Sequence, residues 1–594
     1  MKSLLLVGTL LFVAISSGEA AMAKKIDKET LANKIRALAG LDAEERSELL
    51  GLLSERKKYG LVWEEKPEDV EEAMREQLPV LAEVKERAIV ASVPSAPNHI
   101  LIEGDNLHAL TCLTYTHSNK VDVIYIDPPY NTGNDFIYND NYVAKDDAYR
   151  HSKWLSFMSK RIKIAKQLLS DCGLLFIQID DNEHAPLKLL CDQILGEEMF
   201  LTTIAWEKRT KCQNTKTARK MLQPKIEYIL VYKNKSARVE FNCHVIGEHD
   251  YPETDDKGEF RIEEVGQMGI TGVRGRGSMV FPILGIMPRV GNQWKIGKDT
   301  VNEFLDRGDL YENSGKVYRR IRPDDEASDK IKPFWAFFSA EQFGTAESAK
   351  NELSQILGRK DHGFETVKPS QMLSEIIFQS TRNDSIVLDF FAGSGTTLQA
   401  TLEVNAEYGG KRTCILVTNN ENGICEKVTY ERNRRVIQGY TNAKGEALPG
   451  LAENSLRYYR TEFVPRRPSP RNARALMAVS VDLLCVKNDL YEEVPRFFGR
   501  KLKKSAGRYF DDGHGKRMLA LFDETTIPSV AAAIREASFA GKVKIYVFAH
   551  GDYAYNEEFE EVADKVELCA LPAAILNAYR RVIGKYRPQE EDAQ

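Results

Sequence analysis

Val121–Tyr130, VDVIYIDPPY, is the stretch from which the fold can be read. Its first six residues are almost all apolar or β-branched, the composition of a strand buried on both faces. The strand then closes on an acid, Asp127, and two consecutive prolines, Pro128 and Pro129. Each proline fixes φ and removes a backbone donor, so the chain turns a rigid corner before Tyr130. Two further segments have the same form, HILIEGD (His99–Asp105) and GLLFIQID (Gly173–Asp180), with helical stretches such as Trp154–Leu169 between the strands. Continuous apolar strands alternating with helices predict a parallel sheet covered on both faces. In such sheets ligands bind outside the carboxyl ends of the strands, which is where the three terminal aspartates fall.

The whole chain bounds what that sheet can belong to. Its 594 residues suggest about three or four domains, and 43% hydrophobic with 28% charged residues describes a packed, soluble chain. The net charge of −5 supplies no global basic field, so any nucleic-acid surface must be local. Nine scattered cysteines form no CxxC pair and no Cys/His spacing, which predicts reduced thiols and no metal site.

Residues 1–21 have the layout of a secretory signal, with Lys2 before an apolar run from Leu4 to Ile15. That run falls short of the ~20 apolar residues of a spanning helix. Since the rest of the chain reads as cytosolic, we take 1–21 as a leader or mis-set start ahead of Met22 and expect a cytoplasmic protein without a membrane segment. From Ile26 to about Ala91, Leu31, Ile35 and Leu38 and then Leu49, Leu50, Leu52 and Leu53 recur at roughly helical spacing, giving an N-terminal helical region over 22–97 that closes on VPSAP. The α/β texture occupies 98–204. A Gly-rich, charged stretch with hairpin cues such as TDDKGEF (Thr254–Phe260) fills 205–359, and α/β texture returns over 360–464. One sheet domain is thus split by an insertion. PRRPSPR (Pro465–Arg471) reads as a linker to a small α/β domain over 471–594.

In the returning half, DFFAGSGTT (Asp389–Thr397) follows a strand and opens a helix. Gly393 and Gly395 let backbone approach a ligand, and the helix start offers unpaired N–H groups. No Walker lysine follows, which argues against a phosphate-loop ATPase. At the proline corner, the Asp127 carboxylate, a preset carbonyl and the face of Tyr130 make a receptor for an exocyclic amine on a base. Carboxylate and carbonyl can each accept one N–H, drawing the amine lone pair out of conjugation, while Tyr130 stacks on the ring.

As a set, DPPYNTGNDFIYND, FIQIDDNE, ETVKP and DFFAGSGTT, in that order, resemble the β-group amino-methyltransferases of DNA. The similarity, over roughly His99–Ile437, is strongest to modification subunits of type III restriction–modification systems. It implies a Rossmann-like S-adenosylmethionine-dependent methyltransferase sheet, circularly permuted, with an inserted target-recognition region. It further implies site-specific transfer of a methyl group to adenine N6 of a flipped base, cytosine N4 or RNA being the same-class alternative and a pure recognition subunit the other. Carried over by match, Asp127, Pro128, Pro129 and Tyr130 form the target-amine site. Asp389, Phe391, Gly393, Gly395 and Thr396 fall in the cofactor pocket, Lys368 and Pro369 near the methionine, and Asp105 near the adenine. The strand that would carry the ribose contact ends TNNE, so Asn419 or Glu421 must serve, or neither.

For DNA, Glu207–Arg238 holds ten Lys/Arg against two acids, interleaved with Trp206, Tyr228 and Tyr232. Lys208, Arg209, Lys211, Lys216, Arg219 and Lys220 are the expected phosphate contacts, with Arg274 and Arg276 on a flexible loop. Double-stranded DNA, a homodimer and a restriction subunit are the expected partners.

Overall fold

The computed structural model describes residues 63, 68–132, 149–216, 218–235, 239–245, 250–270, 275–326, 331–442, 444–549 and 553–584. The expected leader, the helices up to residue 62 and Arg274 lie outside the described residues.

A ten-stranded sheet forms the centre. Its strands in chain order are β1 (Gln77–Glu83), β2 (Asn98–Glu103), β3 (Val121–Ile126), β4 (Leu169–Ile179), β5 (Phe200–Glu207), β6 (Ile226–Lys233), β7 (Phe337–Phe338), β8 (Ile386–Asp389), β9 (Thr413–Thr418) and β10 (Ser455–Pro465). In space they run β1-β10-β2-β9-β8-β3-β4-β6-β5-β7. From β10 to β4 every pairing is parallel, as the unbroken apolar runs predict. Outside that block, β1 runs antiparallel to β10, and β6 runs antiparallel to both β4 and β5. The helices used below are α1 (Asn106–Thr116), α2 (Arg150–Leu168), α3 (Ser370–Ser380), α4 (Thr396–Tyr408), α5 (Pro470–Asn488) and α6 (Ala573–Ile583).

This is a Rossmann-like sheet entered by the chain in its middle. β8, which carries the Gly-rich turn, comes late in sequence but lies beside β3, with Val387 opposite Val123 and Leu388 opposite Ile124. From β8 the chain crosses through α4 to β9 on one side; from β3 it crosses through α2 to β4 on the other. The strand order therefore reverses between β3 and β8. A crevice opens at such a point because the two crossovers diverge. Asp127 and the Asp389–Thr397 turn both leave the sheet there.

Three expectations need correction. Residues 77–83, read as part of a helical region, are strand β1, whose burial pattern puts Leu78, Pro79, Val80 and Leu81 inside. Its pairing with β10, more than 370 residues away in sequence, is invisible to local periodicity. Strands β6 and β7 and the end of β5, assigned to the insertion, belong to the main sheet: β6 pairs with β4 from Leu174–Lys233 to Ile179–Tyr228, and β7 pairs with β5. Finally, Pro465–Arg471 is no loose tether. β10 runs to Pro465, α5 starts at Pro470 under a Ser469 cap, and Arg466 donates to the carbonyls of Met74, Ile583 and Gly584.

Beyond β6 the insertion builds a four-stranded antiparallel sheet from Glu253–Asp255, Gly258–Glu264, Leu310–Asn313 and Lys316–Ile321. The TDDKGEF cue is its first hairpin, with Asp255 opposite Gly258 and Gly258 at φ +114. It has its own apolar cluster, including Val265, Phe281, Trp294, Val301, Phe304 and Val317. The C-terminal residues form a five-stranded sheet whose last three strands, Arg517–Leu521, Val543–Phe548 and Val566–Leu571, are parallel. It is fastened to the main sheet by Tyr579 of α6, which donates to the Pro79 carbonyl at 2.9 Å, and by Asp482 of α5, which accepts from the Glu83 amide at 2.9 Å.

Candidate active site

Asp127 follows directly on β3, whose core residues Val123, Ile124 and Ile126 are fully buried. The corner after it is held by α2: Trp154 donates its indole N–H to the Pro129 carbonyl at 2.7 Å. Pro129 is therefore spent on structure. No hydrogen bond reaches the Pro128 carbonyl among the described residues, which leaves it as the acceptor beside Asp127. The next residue, Asn131, sits at φ +55 and donates to Glu183 Oε1 at 2.5 Å, and His151 Nδ1 lies 2.6 Å from the same oxygen. Glu183 thereby holds Asn131 and His151 together; residues 133–148, which include most of the NTGNDFIYND motif, lie outside the described residues.

Around Asp127 lies a charged cluster that the sequence does not announce. Lys368, at the entrance to α3, places Nζ 2.8 Å from Asp127 Oδ2 and 3.5 Å from Glu227 Oε2. Lys208 Nζ is 3.1 Å from Glu227 Oε1, and Gln178 Nε2 donates to Glu227 Oε2 at 2.9 Å. The Tyr130 hydroxyl is 2.8 Å from Asp127 Oδ1 and 3.0 Å from Glu227 Oε2. Tyr125 completes the chain by donating to Gln178 Oε1 at 2.5 Å. Glu227 and Lys208 come from β6 and the end of β5, and Gln178 comes from β4, so pairing of β4, β6 and β5 assembles the group.

The electrostatics separate the two carboxylates. Burial pushes the Asp127 carboxyl up, with Lys368 pulling it back and Glu227 adding to the rise. Burial acts on Glu227 in the same sense, but Lys368 and Lys208 overcome it and hold that carboxyl down at about 2. Burial would lower the Lys368 ammonium; Asp127 and Glu227 raise it instead. One acid is thus held as an anion between two lysines, while the other is pushed toward its neutral form. The Tyr130 hydroxyl is pushed well above 10 by burial and by both acids, so it stays protonated. Lys368 also lies 5.2 Å from the centre of its ring.

Across the crevice, the turn after β8 is built on Asp389. This buried acid accepts from the Phe391 amide at 3.0 Å and from the Thr397 hydroxyl at 2.6 Å, so it shapes the turn from within and presents no free oxygen. Burial raises it to about 7. Gly395 is left-handed at φ +77, and a Cβ there would lie 2.5 Å from Asn433 Nδ2, so the turn demands glycine. Thr396 is buried, its hydroxyl accepting from Arg432 at 2.7 Å. Phe391 packs against Phe157 of α2 at 5.8 Å. Asp105 caps α1 by accepting from the Leu107 amide at 2.7 Å while remaining partly open.

At the end of β9, Thr418 Oγ1 and Asn419 Oδ1 are buried with no hydrogen-bond partner, while Asn420 donates to Glu103 at 3.1 Å and Glu421 lies in a short turn beyond. Buried polar groups left unpaired are costly, and two together at a strand end mark a place where a ligand's polar groups complete the structure. A glycine-lined turn, a partly open acid at Asp105 and orphaned oxygens at Thr418 and Asn419 fit the adenosine part of S-adenosylmethionine.

The expected DNA strip is only half a surface. Trp206 and Tyr232 are fully buried, Tyr228 packs at a tilt against His184 at 4.5 Å, and Lys208 is committed to Glu227. They alternate along β5 and β6, core strands whose outer neighbours a charge count cannot see. What remains exposed is the β5–β6 loop, with Arg209, Lys211, Lys216, Arg219, Lys220 and Lys225, and separately Arg276. Gln213 and Gln223 brace this loop by reciprocal bonds of 2.7 and 2.8 Å. Its stem closes at Lys208 and Lys225, so it rises from the catalytic end of the sheet. Of the site, sequence reading missed Glu227 and Gln178 and gave Lys208 to a phosphate contact; the only signal for Glu227 was an acid embedded in a basic run.

Comparison with known proteins accords with this geometry. Residues 121–426 match the family model described as DNA methylase. The chain is 31% identical over 391 residues to the StyLTI Mod subunit of a type III restriction-modification enzyme from Salmonella typhimurium, covering 58% of each chain. It is 32% identical over 364 residues to the type II methyltransferase M.KpnI from Klebsiella pneumoniae, covering 57% of this chain and 84% of that one. Among solved structures, a putative DNA modification methylase from Thermus thermophilus, complexed with S-adenosyl-L-methionine, is similar at 15% identity and a TM-score of 0.28, over 59% of this chain and 97% of the other. The chain thus spans little more than half the length of the Salmonella relative. With an acid–proline corner on β3, a glycine turn on the adjoining β8 and a family match that runs from the first to beyond the second, the chain belongs to the DNA methylase family.

Proposed function

We propose that this chain methylates the N6 amine of an adenine flipped out of duplex DNA, at a specific site, as the modification component of a restriction–modification system. The observation that carries the proposal is the pair of acceptors at the end of β3, the Asp127 carboxylate and the Pro128 carbonyl, next to the glycine turn of β8. Two acceptors on a rigid corner match the two N–H groups of one exocyclic amine. Tyr130 offers its ring to the base, a contact worth ~1–3 kcal/mol per stacked base. Asp105, the Gly393–Thr396 turn and Asn419 would hold S-adenosylmethionine, which supplies an electrophilic methyl group with a neutral thioether as leaving group. Catalysis by the protein is then mainly alignment: Asp127 and Pro128 fix the amine, and the Trp154 bond keeps the corner from yielding. Asp127 is also the nearest base for the proton that the amine must shed.

The exposed basic loop between β5 and β6 would meet phosphates beside the crevice, with the insertion's antiparallel sheet reading base edges. A restriction subunit and a second copy of this chain are the proposed protein partners, and the cytoplasm the proposed location. Among the described residues no helix is long and apolar enough to cross a membrane.

Purified full-length chain, incubated with tritiated S-adenosylmethionine and mixed-sequence duplex DNA and then digested to nucleosides, tests the proposal. Label in N6-methyladenine is the expected result. Label in N4-methylcytosine, or none from a chain that binds the cofactor, overturns it.

A further inference from the structure

The acceptor that the target amine needs is occupied. Lys368 Nζ lies 2.8 Å from Asp127 Oδ2, so an amine docking on that oxygen competes with an ammonium ion for it. The cluster supplies somewhere for the ammonium to go. Glu227 Oε2 is 3.5 Å from Nζ, and Glu227 is fixed from behind by Lys208 at 3.1 Å and Gln178 at 2.9 Å. A shift of well under an ångström turns the longer contact into a full charge-assisted hydrogen bond of ~2.8 Å. Nothing else within the described cluster offers Lys368 an anion.

We propose that Lys368 is a gate on the target-amine site: it covers Asp127 when no base is docked and passes to Glu227 as the amine enters, which makes Glu227 a positioning residue for methyl transfer. The inference rests on the adenine-amine reading above.

The hand-over follows from charge. Asp127, Glu227, Lys368 and Lys208 together sum to zero. Moving Lys368 from one acid to the other keeps that balance and frees one carboxylate for a neutral amine without leaving a buried cation unpaired. Breaking a buried pair outright would cost several kcal/mol. Sharing the ammonium between two acids avoids most of that cost. Tyr130 spans both acids at 2.8 and 3.0 Å with one proton to give. As Lys368 leaves Asp127, the hydroxyl can keep donating to Asp127 and so hold the carboxylate in place for the amine. The groups facing the cluster are Tyr125 and Gln178 from the sheet, Asp180 just past β4, Asp389 from the neighbouring turn, and the two lysines.

Glu227→Gln keeps the size and the hydrogen bond of the side chain but removes its charge, so Lys368 has only Asp127. Single-turnover methylation at saturating cofactor and DNA should fall at least tenfold, with cofactor and duplex affinity unchanged. The acid limb of the rate–pH profile should move to lower pH, because Asp127 loses the repulsion of Glu227 and keeps the lysine. Adding Lys368→Met to Glu227→Gln should restore part of the lost rate, since the plug is gone. Glu227→Asp, which keeps the charge one methylene further back, should lie between wild type and Glu227→Gln. It also carries the test should the glutamine variant fail to fold. An unaltered rate in Glu227→Gln, or a double variant slower than either single one, overturns the gate. If wild-type protein makes no N6-methyladenine in the same assay, it is the functional reading that fails.

Discussion

Asp127→Ala is the sharpest perturbation of the site, because its effects on rate and on stability should part company. The substitution removes the carboxylate that accepts from Tyr130 and pairs with Lys368, both at 2.8 Å. For transfer, the amine loses one of its two acceptors and its nearest base. Positioning of a reacting group and proton transfer by a placed side chain each contribute factors of roughly 10²–10⁴. A fall of at least 10³, equivalent to ~4 kcal/mol in the barrier, is therefore expected. For stability, loss of one partner of a buried pair usually costs ~3–5 kcal/mol. Here the cost is offset twice: Lys368 keeps Glu227 at 3.5 Å, and burial of Asp127 already opposes its charge. Thermal unfolding should shift by only a few degrees. Duplex binding, which we assign to loop residues outside the cluster, should be retained. Single-turnover methylation, gel-shift affinity and scanning calorimetry on the same preparation read all three. Turnover within threefold of wild type would refute the assignment of the amine site, and collapse of the fold would refute the view that Glu227 alone can hold Lys368.

Three further outcomes follow from other parts of the molecule. Asp389 has its carboxyl raised to about 7 by burial, against ~3.9 when unfolded, so it stabilises the fold fully below pH ~4, and that contribution is lost as pH rises through 7. Asp389→Asn should shrink the stability difference between pH 5 and pH 8 by on the order of 3 kcal/mol in urea titrations, and an unchanged difference would show that Asp389 is already ionised. Asn419→Ala removes the orphaned Oδ1 at the end of β9 and should weaken S-adenosylmethionine about tenfold by calorimetry, roughly the value of one good hydrogen bond; equal affinity would place the cofactor elsewhere. Arg219→Glu with Lys220→Glu should weaken duplex binding and flatten the log-affinity against log-salt slope by about 0.9 for each phosphate that is no longer neutralised, whereas an unchanged slope would remove the β5–β6 loop from the DNA interface.

How much of this could be read before folding varies from residue to residue. The strands at His99, Val121 and Gly173, their closing acids and the glycine turn at Asp389–Thr397 are local patterns: apolar runs that must be buried, a corner that two prolines impose, and backbone that only glycine allows. Reading them placed Asp127 and Gly395 on one sheet, and the sheet has them on adjacent strands. Gln77–Glu83 went unread as strand because its partner, Ser455–Pro465, lies hundreds of residues away and a short apolar run does not declare its own period. Trp206 and Tyr232 show the opposite error, aromatic residues counted as surface because they interleave with lysines, though β5 and β6 are interior strands of the sheet and bury them.

The sequence by itself determined the permuted order of motifs, the rigid acid–proline corner and the glycine turn, since each depends on residues within a few positions of one another. Only the tertiary structure decided what Glu227 and Lys208 are. In a count of charges they belong to a basic strip facing solvent. Pairing of β6 against β4 carries Glu227 beside Gln178 and next to Lys368, where the two lysines outweigh the cost of burial and keep it an anion at the site. The meaning of a charge is set by what it is buried against, and that is fixed by strand pairing across long stretches of chain rather than by its neighbours in sequence.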